Sequence, residues 1–327
     1  MVSTLLSLAL LTYTALPKFY PTFTYWSSLY NRTYAPTERD YRESVYSQNL
    51  AMIAAHNSHN HPWTLDVNRF ADLTRAEFVA QYIQGGYMNS SKMLRQRKYN
   101  WNLLYTNKTV RPQAVDWTTQ GAVTPVKDQG QCGSCWAFSA TGSMEGAWFL
   151  KNGSLVSLSE QQLVDCSVPQ GNQGCDGGLM DSAFQYVVSN HGITTEAAYP
   201  YTATGPNTCQ AAASAVTLVG FKDVPTGSEV ALMTAIAEQP VSVAVEADQS
   251  VFQFYSGGVL TAACGSNLDH GVLAVGYGTQ GGQDFYKVKN SWGESWGQKG
   301  YILLGRGSHY GANGQCGIQM DPSYPVV

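Results

Sequence analysis

The sequence predicts an α+β fold in which a helical half precedes an antiparallel β half, with a cleft between the two. In the first part of the chain, apolar residues recur at helical spacing through segments that contain no Pro. After about Leu218, short apolar segments are separated by Gly and Pro, which is the pattern of strands. The chain has 327 residues, of which 44% are hydrophobic and 13% charged, so it is able to bury a sizeable core.

Individual elements are predicted from hydrophobic periodicity and from the residues that begin and end each segment. The expected helices lie around residues 26–30 and over residues 38–57, 134–150, 159–165 and 180–190. Ser134 is a candidate N-cap of the helix over 134–150, and Gly153 follows the end of that helix. The expected strands cover residues 64–70, 241–245, 271–277, 285–289 and 301–304.

Three segments are predicted along the chain. Residues 1–16 resemble a signal peptide, because their apolar run is shorter than the roughly 20 residues that span a bilayer, and no later stretch is long enough to span one. Residues 1–110 carry 11 Lys or Arg and 6 Asp or Glu, and residues 111–327 carry 8 and 17. A front part of net charge +5 and a back part of net charge −9 are expected to attract each other. The net charge of −4 gives no reason to expect nucleic-acid binding.

Sequons and cysteines place the chain in the secretory pathway, on the way to the lysosome, the vacuole or the outside of the cell. The glycosylation candidates are Asn31, Asn89, Asn107 and Asn152. All seven cysteines lie between residues 132 and 316. An odd number in a secreted protein predicts several disulfides and one free thiol, but parity alone does not say which cysteine is free.

The strongest chemical signal is the segment Gln129-Gly-Gln-Cys132-Gly-Ser-Cys135-Trp136. Cys135 falls at the start of a predicted helix, where the helix dipole lowers a thiol pKa and favours the nucleophilic thiolate. A disulfide half-cystine is the alternative for any one cysteine of a secreted protein. The Cys132-x-x-Cys135 spacing also occurs in redox dithiols and zinc sites, but no second such pair follows and a loop precedes it.

A nucleophilic thiol needs a base and a group that orients the base. Of the three histidines after residue 110, His270 lies where a strong strand begins, whereas His191 and His309 lie at a helix end and in a loop. Asn290 ends another strand, and its amide oxygen is able to accept the imidazole N–H. Trp292 follows two residues later and is expected to shield that hydrogen bond from water.

The stretches Gln129–Trp136, Asp269–Gly271 and Asn290–Trp292 resemble the papain-like cysteine proteases, specifically their cathepsin L-like branch. Earlier in the chain, two spaced patterns resemble the motifs of that family's prosegment: Glu38-x3-Arg42-x3-Tyr46-x2-Asn49-x3-Ile53-x3-Asn57 and Asp66-x-Asn68-x-Phe70-x-Asp72. Tyr46 and Asp66 depart from the usual residues. The resemblance implies a papain-like two-lobed fold, with a helical inhibitory prosegment over residues 17–110 and a mature enzyme over residues 111–327.

The resemblance also implies a cysteine endopeptidase that is made as an inactive precursor and activated by prosegment removal at acid pH. Cys135 would be the nucleophile, His270 the base and Asn290 its orienting partner. The Gln129 side chain and the Cys135 N–H would form the oxyanion hole. The reaction would be acyl transfer through a thioester, followed by hydrolysis. No metal and no organic cofactor is implied.

Disulfides and substrate contacts are implied in the same way. The implied disulfides are Cys132–Cys175, Cys166–Cys209 and Cys264–Cys316, which leaves Cys135 free. The implied substrate-binding residues are Gly177, Gly178, Leu179, Met180, Ala244, Leu268, Asp269, Gly271, Trp292 and Asp321. Asp321 is expected at the base of the pocket for the second residue before the cut, where it would admit Arg or Lys beside hydrophobic side chains. The alternative is that Asp321 faces solvent.

The implied partners are polypeptide substrates, the chain's own prosegment as an intramolecular inhibitor, and cystatin-type protein inhibitors, with the enzyme as a monomer. The competing class is a catalytically silent relative that acts as a binding protein. Loss of Cys135, His270 or Asn290 would mark such a relative, and the sequence retains all three.

Overall fold

The computed structural model describes residues 19–83, 85–88, 111–210, 212–262 and 264–327. The predicted signal peptide and the sequons at Asn89 and Asn107 lie outside these ranges. The other two sequon asparagines, Asn31 and Asn152, are exposed. Within the described ranges, no helix has the length and apolar character needed to cross a bilayer.

The first described part of the chain is mainly helical, as predicted. Its elements are α1 (Phe23–Leu29), α2 (Pro36–Asn57), β1 (Trp63–Leu65) and α3 (Arg75–Phe78), which continues as a π-helical turn over Val79–Ile83. Pro36 begins α2, where its missing N–H is not needed for a helical hydrogen bond. The strand predicted over residues 64–70 is wrong beyond Leu65. There the Asn68 side chain accepts the N–H of Phe70 at 3.0 Å and turns the backbone out of the extended conformation.

The helical lobe that follows is built around one buried helix. Its helices are α4 (Cys135–Asn152), α5 (Glu160–Cys166) and α6 (Met180–Ser189). Gly153 ends α4 with a left-handed φ of 73°, which favours glycine at that position. Ser134 does stand at the N-cap of α4, but its hydroxyl makes no cap hydrogen bond and lies 2.6 Å from the Tyr201 hydroxyl instead.

The β lobe contains eight strands and two helices among the described residues. In chain order these are β2 (Val115–Asp116), β3 (Gly220–Asp223), α7 (Glu229–Glu238), β4 (Val241–Val245), α8 (Ser250–Gln253), β5 (Tyr255–Leu260), β6 (His270–Gln280), β7 (Gln283–Lys289), β8 (Tyr301–Gly305) and β9 (Ser323–Val326). The sheet order is β1-β5-β8-β7-β6-β4-β9-β3, with β2 paired to β6. The pairs are antiparallel except for the parallel pair β5–β8.

Helix α7 corrects the prediction that only strands follow Leu218. The Ser228 side chain accepts the N–H of Ala231 at 3.1 Å and so caps this helix. The helix then buries Leu232, Ala235 and Ile236 against the sheet. Apolar content alone is ambiguous for this segment, because burial stabilises a helix and a strand alike, and the Ser228 cap is the local feature that favours the helix.

Prosegment and β lobe share one apolar core. Strand β1 adds to the sheet edge at β5, with Trp63 opposite Gly258. Later in the prosegment, Phe70 and Phe78 lie in the same buried cluster as Trp292 of the β lobe. Helix α2 holds this region in place, because Arg42 pairs with Glu77 at 2.9 Å. The packing carries the chain from α3 directly toward the cleft between the two lobes.

Candidate active site

Cys135 lies at the N-terminus of α4 and is fully buried. The N–H of Gly271, the second residue of β6, donates a hydrogen bond to the Cys135 Sγ at 3.2 Å. His270 precedes Gly271 in the chain and begins β6. The helical lobe therefore supplies the thiol and the β lobe supplies the imidazole, and the two elements meet at the cleft.

The remaining cysteines are bonded in pairs. The bonds join Cys132 to Cys175, Cys166 to Cys209 and Cys264 to Cys316, with S–S distances of 2.08, 2.06 and 2.01 Å. These are the same three pairs that the resemblance implies, and Cys135 is free. Because Cys132 is bonded elsewhere, it does not form a redox dithiol with Cys135. Across the described ranges, no group of three or more His, Cys, Asp or Glu side chains is placed to hold a metal ion.

The His270 ring is held in one orientation. Its Nε2 lies 2.7 Å from the Oδ1 of Asn290, and that oxygen also accepts the N–H of Ser291 at 2.8 Å. An acceptor oxygen at Nε2 requires the proton on Nε2, which leaves a lone pair on Nδ1. The Nδ1 atom is buried and has no hydrogen-bond partner among the described protein atoms. Trp292 stacks on the imidazole, with ring centroids 4.7 Å apart, and covers the bond to Asn290.

Gln129 is fully buried beside this group. Its Oε1 accepts the hydroxyl hydrogen of Ser291 at 2.6 Å, which directs the amide nitrogen the other way. The Nε2 donates to the carbonyl of Cys132 at 3.0 Å and reaches the prosegment carbonyl of Tyr82 at 3.5 Å. Ser291 is not among the site residues predicted from the sequence, although its position between two of them, Asn290 and Trp292, is a signal that could have indicated it.

Residues Gly85–Met88 of the prosegment lie in the cleft. The Tyr87 N–H donates to the carbonyl of Asp269, and the Met88 N–H donates to the carbonyl of Gly178, both at 3.2 Å. In return, the Gly178 N–H donates to the carbonyl of Gly86 at 3.3 Å. This backbone pairing is a short β-augmentation along the edge that the sequence analysis assigned to substrate.

Gly86 lies directly on the thiol. A Cβ at this position would come within 2.9 Å of the Cys135 Sγ, so only glycine allows the backbone to approach this closely. On the opposite wall, a Cβ at Gly177 would lie 1.8 Å from the carbonyl oxygen of Gly85. The prosegment backbone therefore occupies the space directly over the Cys135 thiol.

This burial changes the electrostatics of the pair. Burial raises the pKa of the Cys135 thiol to about 12, against the hydrogen bond from Gly271. Burial also lowers the pKa of His270 to about 4, although the hydrogen bond to Asn290 acts in the opposite direction. The N–H groups of Cys135 and Trp136 at the start of α4 do act to lower the thiol pKa, as expected, but in the precursor desolvation outweighs them and the net shift is upward. Thiol and imidazole are both neutral between these two values.

The Tyr87 side chain fills the predicted specificity pocket. It packs in one buried cluster with Leu179, Met180 and Ala244, and Leu268 lies against that cluster. The Tyr87 hydroxyl donates a hydrogen bond to the carboxylate of Asp321. Asp321 thus faces the pocket occupant in the precursor, and the pocket combines apolar walls with one carboxylate.

Aromatic packing and two ion pairs fix the prosegment around the cleft. Phe70 and Phe78 meet the Trp292 ring edge-on, with centroid distances of 5.8 and 5.3 Å. At the rim, Arg69 pairs with Asp128, and Arg75 pairs with Asp248 at 2.6 Å. The charge attraction inferred from composition is thus represented by partly exposed pairs. The buried part of the contact combines aromatic packing with hydrogen bonds, such as the one from Asn68 Nδ2 to the carbonyl of Gln253 at 2.7 Å.

Comparison with known proteins agrees with this geometry. The family model described as papain family cysteine protease matches residues 111–326, and the model of the cathepsin propeptide inhibitor domain matches residues 23–78. Digestive cysteine proteinase 2 of Homarus americanus is 48% identical over 318 residues, covering 94% of this chain and 95% of the lobster protein. The senescence-specific cysteine protease SAG39 of Oryza sativa subsp. japonica is 46% identical over 304 residues, covering 92% of this chain and 88% of the rice protein.

A solved structure shows the same arrangement of prosegment and enzyme. The crystal structure of the Amb a 11 cysteine protease, a ragweed pollen allergen, in its proform superposes with a TM-score of 0.85 at 41% identity and covers 93% of both chains. The two lobes, the prosegment and the cleft define the class of papain-like proenzymes. The chain belongs to the papain family of cysteine proteases. It is a cysteine protease made as a proenzyme, whose cathepsin-type propeptide is its intramolecular inhibitor.

Proposed function

We propose that the processed enzyme is an endopeptidase in which Cys135 is the nucleophile, His270 the general base and Asn290 the residue that orients His270. The observation that carries this proposal is the 2.7 Å hydrogen bond from His270 Nε2 to Asn290 Oδ1, which leaves Nδ1 as the proton acceptor. The free thiol at the N-terminus of α4 supports the same assignment.

The reaction follows from these positions. Once the prosegment leaves, the Cys135 proton passes to His270 Nδ1, and the thiolate attacks the carbonyl carbon of the scissile bond. The resulting oxyanion accepts hydrogen bonds from the Gln129 side chain and the Cys135 N–H. His270 then returns the proton to the leaving amine as the C–N bond breaks. A water molecule attacks the thioester while His270 takes its proton, and release of the carboxylic acid restores the thiol.

The direct test is hydrolysis of a Phe-Arg peptide substrate by the chain after removal of its prosegment, with Cys135→Ala as the comparison. Activity that requires a reducing agent and is absent from the variant supports the assignment. Activity that survives in Cys135→Ala would overturn it. Because Cys135→Ala also stops self-processing, its prosegment must be removed by an added protease, and the wild type is treated identically.

We propose the following organisation of the precursor: a signal peptide over residues 1–16, the inhibitory prosegment over residues 17–110 and the mature enzyme over residues 111–327. The family matches over residues 23–78 and 111–326 support these boundaries. The sequons, including the exposed Asn31 and Asn152, support passage through the secretory pathway to the lysosome, the vacuole or the exterior. The mature enzyme is proposed to act as a monomer and to bind cystatin-type inhibitors at the cleft.

Asp321 is proposed to extend the substrate preference of the apolar pocket. The carboxylate binds the Tyr87 hydroxyl in the precursor, so it is positioned to bind a donor at the end of a long side chain. We expect Arg-Arg and Phe-Arg peptide substrates to be cleaved at comparable rates. In Asp321→Ala, kcat/KM should fall for Arg-Arg and remain nearly unchanged for Phe-Arg. An unchanged ratio of the two kcat/KM values would reject this role for Asp321.

A further inference from the structure

A buried group of charges lies behind the site, between α4, α5 and β7. Lys127 donates to Glu145 at 3.1 Å and to Glu160 at 2.6 Å, and both carboxylates are 1% exposed. Lys289 lies in the same region and donates to the carbonyl and hydroxyl of Thr124. The two acids and two bases balance in charge, but the two acids differ in their remaining contacts.

Glu145 is fully partnered, whereas Glu160 is not. Glu145 Oε1 accepts from Lys127 and from the N–H of Leu158, and its Oε2 accepts from Thr124 at 2.6 Å. Glu160 Oε1 accepts from Lys127 and Thr141. The Oε2 of Glu160 is buried and has no hydrogen-bond partner among the described protein atoms. An unpaired buried carboxylate oxygen is costly, and native proteins commonly satisfy such an atom with an internal water.

A second buried polar atom without a partner in the described part of the chain belongs to Asn290, and it is a hydrogen-bond donor, whereas Glu160 Oε2 is an acceptor. Asn290 is 3% exposed, and its Nδ2 likewise has no partner within the described part of the chain. Glu160 and Asn290 both line a cavity of about 20 Å³, together with Ser139, Thr141, Lys289 and Ser291. A cavity of this size holds one water molecule, and its polar lining favours occupation.

We propose that this cavity is the site of one internal water, which accepts a hydrogen bond from Asn290 Nδ2 and donates one to Glu160 Oε2. Glu160 is then a positioning residue. It fixes the Asn290 amide through the water, and the amide in turn fixes the His270 ring through Oδ1. This inference rests on the proposed role of His270 and Asn290. It adds a buried carboxylate in the helical lobe that acts on the imidazole in the β lobe.

A high-resolution crystal structure of the processed enzyme tests the water independently of activity. The expected result is one water within hydrogen-bond distance of both Glu160 Oε2 and Asn290 Nδ2. Density that shows no water in the cavity, or a water that contacts neither atom, overturns the proposal. Because this crystal structure is of the wild-type enzyme, it tests the presence of the water even if a substitution at Glu160 or Glu145 prevents folding.

A double-mutant cycle tests the positioning role. Glu160→Gln keeps an oxygen for Lys127 but presents an amide that cannot accept from the water. We expect it to lower kcat about 10-fold with little change in KM, and to have no further effect in the Asn290→Ala background. Glu145→Gln is the matched control, because it removes the same charge from the same group and should cost equally in both backgrounds. Equal costs of Glu160→Gln in both backgrounds overturn the positioning role.

The two proposals fail in different ways. If Asn290→Ala retains full activity, the proposed orienting role of Asn290 is wrong, and the crystal structure still decides whether the water joins it to Glu160. If Asn290→Ala loses activity while the cavity holds no water, the orienting role stands and the inference about Glu160 is overturned.

Discussion

Removal of the prosegment should change the ionisation of Cys135 as well as access to it. In the precursor the thiol pKa is raised by burial to about 12, so only about one molecule in 10⁶ carries a thiolate at pH 6. In the processed enzyme the same thiol lies at a helix N-terminus beside an imidazole, a setting in which cysteine pKa values fall to about 7.5 or below. At least a few per cent of the molecules then carry a thiolate at pH 6, which is about 10⁴-fold more.

Iodoacetamide alkylation measures this difference, because the thiolate is the reacting form. Precursor and processed enzyme are labelled across a range of pH, and the modified residue is located by mass spectrometry, with Cys135→Ser as the blank. We expect the precursor rate to rise about tenfold per pH unit through the neutral range. The processed enzyme should react far faster and depend little on pH above neutrality. If the precursor were alkylated at neutral pH as fast as the processed enzyme, the prosegment would not suppress ionisation of Cys135.

Two further predictions concern how the prosegment is held and released, and both are measured on a Cys135→Ala background that cannot process itself. Phe78→Ala should lower the free energy of unfolding of the precursor by roughly 3–5 kcal/mol, because it empties a buried aromatic site. Arg69→Ala should lower the same free energy by only about 0.2–1 kcal/mol, because the ion pair of Arg69 with Asp128 is partly exposed. A larger loss from Arg69→Ala than from Phe78→Ala would show that apolar packing is not what holds the prosegment. Burial acts to raise the pKa of Glu77, but hydrogen bonds from Thr74 and the charge of Arg42 outweigh burial and lower that pKa below 4.5. The ionised Glu77 therefore stabilises the folded prosegment above pH 4.5, and this stabilisation is lost as the pH falls. Glu77→Gln should therefore let an added protease remove the prosegment at higher pH than in the parent, as followed on gels, with the exposed Glu43→Gln as control and an unchanged pH profile as the contrary result.

Local chemistry explains what the sequence predicted correctly. Helix α4, the strand that begins at His270 and the motif around Asn290 are all determined by short-range patterns, which are legible without a structure. The early end of the strand after Leu65 and helix α7 were missed. In both cases, side-chain capping or burial against a distant element decides between conformations that the local pattern allows.

The features of the site that escaped prediction all depend on long-range contacts. The hydrogen bond from Tyr87 to Asp321 joins residues 234 positions apart, and no spacing rule links them. The raised pKa of Cys135 follows from complete burial of the thiol in the folded precursor, where Gly86 of the prosegment lies directly over it. Ser291 orients Gln129 across 162 positions, and only the folded chain brings the two together.

If Cys135 is the nucleophile, it attacks the substrate carbonyl and is transiently acylated. Rapid acid quenching of the processed enzyme with a p-nitrophenyl ester, followed by mass spectrometry, measures this directly. We expect an acyl group on Cys135 and a burst of p-nitrophenol that approaches one equivalent when deacylation is slower than acylation, and both should be absent from Cys135→Ala. An acyl group on any other residue, or p-nitrophenol release that continues at the wild-type rate in Cys135→Ala, would show that Cys135 is not the nucleophile.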